Sequence, residues 1–258
     1  MSVNIFVCCH KDFDFQGITN PGFKIISDKD IKNNNKSIGL IKSDGFLDNR
    51  MWSELTQIYY VWKHKELQTD YIGFSHYRRF FDFRNDFPQF DKPIIPKHLV
   101  NPFNNYMQYD ICHNTGDLIK LMGIIQRKYP SYYVSFINML DSHCYYPYNM
   151  FVLSKELFNK YCEFVFDTLL EFDKIIGVNN DYINMITHIG KYREKYVEKY
   201  GFPLNDYAYQ ARLYGFLAER LTTTFFFKYM KDNGTDSVIE RQVLTTEKTY
   251  NQVNEVVW

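Results

Sequence analysis

The sequence predicts an α/β domain: a mostly parallel sheet flanked by helices, with a helical segment towards the C-terminus. Three observations carry that expectation. Residues 3–9 (VNIFVCC) and 71–75 (YIGFS) are short apolar runs without alternation, as strands buried on both faces are. Between them, residues 52–64 (WSELTQIYYVWKH) place Leu55, Ile58, Tyr59 and Trp62 at steps of three and four, which is one apolar helix face. Strand, helix and strand in succession make a right-handed crossover.

Taken in order, the first strand ends at His10 and Lys11, and a polar stretch follows it. KSIGLIKSDG then predicts a strand or turn ending near Asp44. After the crossover, residues 82–105 hold Pro88, Pro93, Pro96 and Pro102 and read as irregular chain, with KPIIP as a short strand. A helix is expected from Thr115, its cap, to Lys128, with Leu118, Leu121, Met122 and Ile125 inward. Asn149 to Leu153 predicts a strand that turns into a helix capped by Ser154. A last long helix is expected over residues 206–228, with Leu213, Leu217 and Leu221 on one stripe. We therefore expect a single domain over residues 1–230, followed by a tail over 231–258 that packs on it or is partly disordered.

Composition narrows the function. The 258 residues contain 30 Lys plus Arg against 30 Asp plus Glu, so the charge balance argues against a nucleic-acid binder. Hydrophobic residues make up 45% and aromatics 19%, ample for one core. Five cysteines form no CxxC pair and no zinc spacing, which fits reduced thiols in a cytoplasmic protein. The N-terminus lacks the pattern of a signal sequence, and no run approaches the roughly 20 apolar residues of a membrane span. Phosphate-binding Gly-rich loops, the GxSxG elbow and the HExxH helix are all missing. Asp12-Phe13-Asp14 resembles a metal-holding DxD pair only weakly, since it lies in a loop.

Cationic chemistry is concentrated in one place. The strand DYIGFS runs directly into His76, Tyr77, Arg78 and Arg79. In open α/β sheets ligands bind beyond the carboxyl ends of the strands, and guanidinium forks suit phosphate oxygens. A diphosphate is the natural ligand, whereas the ordinary alternative is a surface ion pair at a strand end. Asp44, Asp48, Asn49 and Ser53 precede or open the first helix, where capping is the plain explanation. Glu54 and Thr56 face the same strand ends. On the last helix Arg212 and Glu219 share a face, roughly 10 Å apart along the axis. Asn149 is either a turn residue or a group aimed at a ligand hydroxyl.

The pieces LDN, SELTQIYYVWKH, DYIGFSHYRRFF, YNMFVLSKELFNKYCEFVF and RLYGFLAERL together resemble a bacterial family first described as a domain of unknown function. That family occurs in capsule, O-antigen and exopolysaccharide gene clusters and is treated as glycosyltransferase. The resemblance spans residues 44–227, most of the chain, and implies a GT-A-like, Rossmann-related fold. It also implies transfer of a sugar from a nucleotide-diphosphate donor, a UDP-sugar such as UDP-galactofuranose, to a glycan or lipid-linked glycan. It carries over Asp48, Asn49, Ser53, Glu54, Thr56, His76, Arg78, Arg79, Asn149, Arg212 and Glu219 as site residues. The compact DGFLDNRMW before SELT departs from the family's longer acidic segment, which unsettles the roles of Asp44 and Asp48.

Residues and resemblance lead to one expectation. Donor diphosphate is bound by His10, Lys11, Asp44, Asp48, Asn49, Thr56, His76, Arg78, Arg79, Asn149 and Arg212, with the base drawn from Glu219, Glu54 and Asp206, Glu219 being favoured for its place in the late matching segment and Glu54 next. Arginines do the work that manganese or magnesium does in other GT-A enzymes, with a divalent cation as the alternative. The expected location is cytoplasmic, at the inner face of the membrane. The rival functions are a nucleotide-sugar hydrolase and a non-catalytic module for anionic glycans or membrane surfaces, the latter touching lipid through Phe225, Phe226 and Phe227.

Overall fold

The computed structural model describes residues 2–15, 18, 22–83, 91–201 and 206–245, apart from the side chains of 194, 195 and 200. Residues 84–90 of the expected irregular stretch and 246–258 of the expected tail lie outside the described residues.

The chain begins with β1 (Val3–Cys8), β2 (Phe23–Ser27) and β3 (Leu40–Lys42), then α1 (Asn49–Trp52), α2 (Leu55–Lys63) and β4 (Tyr71–His76). These four strands run parallel in the order β3-β2-β1-β4. β1 and β4 are in register from Val3 opposite Tyr71 to Cys8 opposite His76, so both end at one level. β2 lies within the polar stretch after the first strand, where no strand was expected. Its five residues, FKIIS, are flanked by polar chain, and pairing with β1 makes them a strand.

β4 reverses through Tyr77 and Arg78 into β5 (Arg79–Phe81), with His76 opposite Arg79. Next come β6 (Ile94–Pro96), β7 (Leu99–Val100), α3 (Asn105–Cys112), α4 (Thr115–Lys128), α5 (Pro130–Asp141) and β8 (Cys144–Tyr145). β9 (Phe151–Ser154) enters the sheet antiparallel to β4 and to β6. It leads into α6 (Lys155–Ile176), whose first turn is capped by Ser154 accepting from the Leu157 amide. α7 (Tyr182–Tyr200), α8 (Tyr207–Ala211) and α9 (Leu213–Asn233) follow, then β10 (Ile239–Arg241) parallel to β6 and β11 (Val243–Thr245) antiparallel to β5.

Several local expectations are refined. The cap of α4 is Asn114, whose side chain accepts from the Gly116 amide, and Thr115 is the first helical residue. The single helix expected over 206–228 is broken at Arg212 into α8 and α9. Helices α3, α5 and α7 add to the elements expected from the sequence; Asn104 and Asp181 cap α3 and α7 with their side chains, and Pro130 opens α5.

Strand side chains alternate between two cores. Phe6, Ile72 and Phe74 face the larger one, under α2, α4, α6 and α9. Ile5, Val7 and Cys9 face a smaller one with Phe15, Phe23, Tyr77, Phe80 and Phe81. Gly73 sits where strands crowd: a Cβ there would stand 2.9 Å from Val152 Cγ2 and 3.1 Å from Ile5 Cγ1. Phe225 and Phe226 are buried in the larger core, the packing alternative to lipid contact. No helix among the described residues is long and apolar enough to cross a membrane.

Candidate functional site

The chain leaves β1 and β4 on the same side of the sheet, and there it opens a cleft of about 360 Å³. Three groups of residues line it: Cys8, Cys9 and His10 after β1; His76, Tyr77, Arg78 and Arg79 in the β4–β5 reversal; and Asn49, Arg50, Ser53, Glu54 and Gln57 from α1 and α2. Tyr182, Ala208 and Arg212 complete the wall.

The reversal explains how two adjacent arginines come to the rim. The Tyr77 amide donates to the Cys8 carbonyl at 3.1 Å, tying the turn to β1. The Tyr77 ring is buried against Phe13 and His10 in edge-on contacts. With that ring as anchor, Arg78 lies 5.1 Å from its centroid, and Arg79 lies 4.5 Å from the Tyr148 centroid. Flat guanidiniums over aromatic faces are held without losing their charge. Opposite, Arg50 stacks 4.0 Å from the Tyr182 centroid and pairs with Asp48 at 2.6 Å.

Arg212 stands at the α8–α9 break, its Nε donating to Ser53 Oγ at 3.0 Å. Ser53 joins α1 to α2 with φ +51, a left-handed conformation that a serine adopts at a cost. Gly215 lets this junction approach, since a Cβ there would stand 3.3 Å from Ser53 Oγ.

Among the described residues that line the cleft, one carries a carboxylate, Glu54. Glu54 Oε1 accepts from Asn149 Nδ2 at 2.7 Å and lies 3.9 Å from His76 Nε2. His76 Nε2 donates to the Tyr148 carbonyl at 2.7 Å, which assigns the proton to that nitrogen. Burial lowers the His76 pKa, with Glu54 opposing and Arg79 and Arg212 adding to the fall. His10 is lowered first by burial and then by Lys11, Arg78 and Arg212. Both imidazoles thus resist taking a further positive charge beside the arginines. The Cys8 and Cys9 thiols are pushed up by burial and are poor nucleophiles.

Of the residues singled out from sequence, His10, Asn49, Glu54, His76, Arg78, Arg79 and Arg212 meet in the cleft. Ser53, carried over by the resemblance, lines the cleft as well, and the others stand outside its lining. Lys11 sits 5.7 Å from the Tyr77 ring centroid. Asp44 accepts from the Phe46 amide, Asp48 caps α1 and Asp206 caps α8. Thr56 is buried and donates to the Ser53 carbonyl. Asn149 backs Glu54 from behind. Glu219 accepts from the Tyr148 amide at 2.8 Å and from Arg220 at 3.1 Å, and burial raises its pKa.

Sequence reasoning missed Arg50, Gln57 and Tyr182. Arg50 carried a signal, lying directly after the Asp48-Asn49 pair it closes over; Tyr182 opens α7, a helix that was not among the expected elements. Among the described residues no three His, Cys, Asp or Glu side chains are grouped to hold a metal ion.

The family described as domain of unknown function DUF4422 matches residues 4–200, and the chain belongs to it. The apo structure of the WbbM bifunctional glycosyltransferase is similar in fold, with a TM-score of 0.69 at 24% identity. That match covers 95% of this chain and 45% of the other, so this chain spans less than half of that protein's length. None of the curated proteins matches. The central sheet flanked by helices is therefore a fold found in a glycosyltransferase.

Proposed function

We propose that this chain is a glycosyltransferase that moves a sugar from a nucleotide-diphosphate donor to a glycan or lipid-linked glycan. One observation carries the reading: Arg50, Arg78, Arg79 and Arg212 converge with the Glu54 carboxylate among the described residues that line one cleft at the strand ends. The WbbM title names the reaction class for a protein of the same fold.

In this reading the donor diphosphate lies against the guanidiniums. Negative charge on the leaving pyrophosphate grows as the glycosidic bond breaks, and fixed cations in a partly dry cleft stabilise it. They do so without rearranging, because stacking on Tyr77, Tyr148 and Tyr182 already holds three of the four. Glu54 takes the proton from the acceptor hydroxyl as that oxygen attacks. Its Oε1 is tied to Asn149, while Oε2 makes no hydrogen bond to a described residue. Glu219, already engaged by an amide and an arginine, holds the Tyr148–Asn149 turn. A UDP-sugar is the donor class assigned here, and UDP-galactofuranose the first to assay, on the strength of the family resemblance. The setting is surface-polysaccharide synthesis at the cytoplasmic face of the membrane.

Incubating the protein with a panel of UDP-sugars, with and without glycan acceptors, tests this directly. Acceptor-dependent glycosidic product is expected. Release of free sugar regardless of acceptor would make the protein a hydrolase instead.

A further inference from the structure

A chain of hydrogen bonds reaches Glu54 from the core. Tyr161 on α6 is fully buried, and its hydroxyl lies 2.8 Å from Thr222 Oγ1 on α9. Thr222 donates to Asn149 Oδ1 at 3.2 Å, and Asn149 Nδ2 donates to Glu54 Oε1 at 2.7 Å.

The direction of this chain is fixed by chemistry. The Gly215 carbonyl, which can only accept, lies 3.3 Å from Asn149 Nδ2. The amide therefore turns its NH₂ to Glu54 and Gly215 and its oxygen to Thr222. Thr222 must donate to that oxygen, which leaves Thr222 Oγ1 to accept from Tyr161. Every proton points towards Glu54, and the last acceptor is a carboxylate oxygen.

The neighbouring threonines show that this is not routine helix chemistry. Thr223 and Thr224, equally buried on α9, each donate to the carbonyl four residues back at 2.8 Å. Thr222 alone of the three turns its hydroxyl to Asn149.

We propose that Thr222 and Tyr161 are positioning residues that act through Asn149 to hold the Glu54 carboxylate in place, with Oε1 tied back and Oε2 directed to the acceptor proton. The inference rests on the reading of Glu54 as the base. Without the Thr222 bond the Asn149 amide is free to turn, and Glu54 is no longer held within reach of the acceptor hydroxyl.

The test is the steady-state kinetics of Thr222→Val. Its turnover should fall about tenfold, with donor KM unchanged. Thr222→Ser should restore turnover. Thr224→Val, the same change one position beyond the adjacent threonine, should leave it unaltered. Wild-type turnover in Thr222→Val, or an equal loss in Thr224→Val, overturns the proposal. Should Thr222→Val not fold, Tyr161→Phe interrogates the far end: its turnover must fall with donor KM unchanged, and a wild-type rate is fatal. Full turnover in Glu54→Gln removes the base assignment itself. An inactive Glu54→Gln beside wild-type turnover in Thr222→Val removes only the relay.

Discussion

Glu54 and Glu219 stand on either side of the Tyr148–Asn149 turn, and their surroundings separate their roles. Glu54 opens onto the cleft, whereas Glu219 is satisfied by the Tyr148 amide and Arg220. Glu54→Gln should lower transfer by roughly 10²–10⁴-fold, the range for loss of a general base, while retaining UDP binding. In Glu219→Gln the amide oxygen still accepts from Tyr148, so turnover should fall by less than about tenfold. Steady-state rates paired with UDP titrations of both variants decide this, and the opposite ranking would return the base to Glu219. His113 gives a second prediction at this scale. It is buried among Tyr109, Phe216 and Gln210, and desolvation lowers its pKa to about 3. The unfolded chain takes up that proton near about pH 6.5, before the folded one does. Stability should be level above that pH and decline as the pH falls from there towards 3. His10 and His76, also lowered, add to the same slope. Thermal melts from pH 7.5 to 4 should show the decline, and His113→Gln should flatten it. A melting point independent of pH over this span would contradict the assignment of a neutral buried imidazole.

At the scale of elements, the close approach at Gly73 is what brings β1, β4 and β9 into one tight layer. Gly73→Ala should destabilise by about 1–3 kcal/mol, because Val152 and Ile5 must yield to the new methyl. Denaturant unfolding measures it, and an unchanged midpoint would mean the strands have slack. Elements with a strong signal of their own were legible in the sequence. β1 and β4 are unbroken apolar runs, α4 keeps its period over its whole length, and Ser154 marks the turn from β9 into α6. β2 was not legible, because five residues in polar surroundings become a strand only by pairing with β1. Nor was the break at Arg212: the apolar stripe of Leu213, Leu217 and Leu221 continues through α9 and gives no hint that α8 is separate. The site divided the same way. His76, Arg78 and Arg79 announce themselves as charges following a buried strand. Tyr182 could not, since it reaches the cleft only through the packing of α7 against α1 and α8.

For the whole molecule, the parallel half of the sheet sets the level at which two strands end together, and the helices on one face bring Arg50 and Arg212 to meet them. Antiparallel β9 serves the same site from behind by carrying Asn149 to Glu54. In the proposed function the cleft is a single device, with cations for the departing pyrophosphate and the Glu54 carboxylate for the incoming hydroxyl. Removing Arg78 and Arg79 together should leave the fold intact, as both are only partly buried at the rim, but should empty the site of its affinity for a diphosphate. The most direct measurement is calorimetric titration of UDP into the wild-type protein and into an Arg78→Ala, Arg79→Ala variant, each with excess EDTA. The wild type should bind under chelation, and the variant should lose at least about 100-fold, some 2.7 kcal/mol. Equal affinity in the two proteins, or wild-type binding that appears only when manganese or magnesium is added, would contradict it.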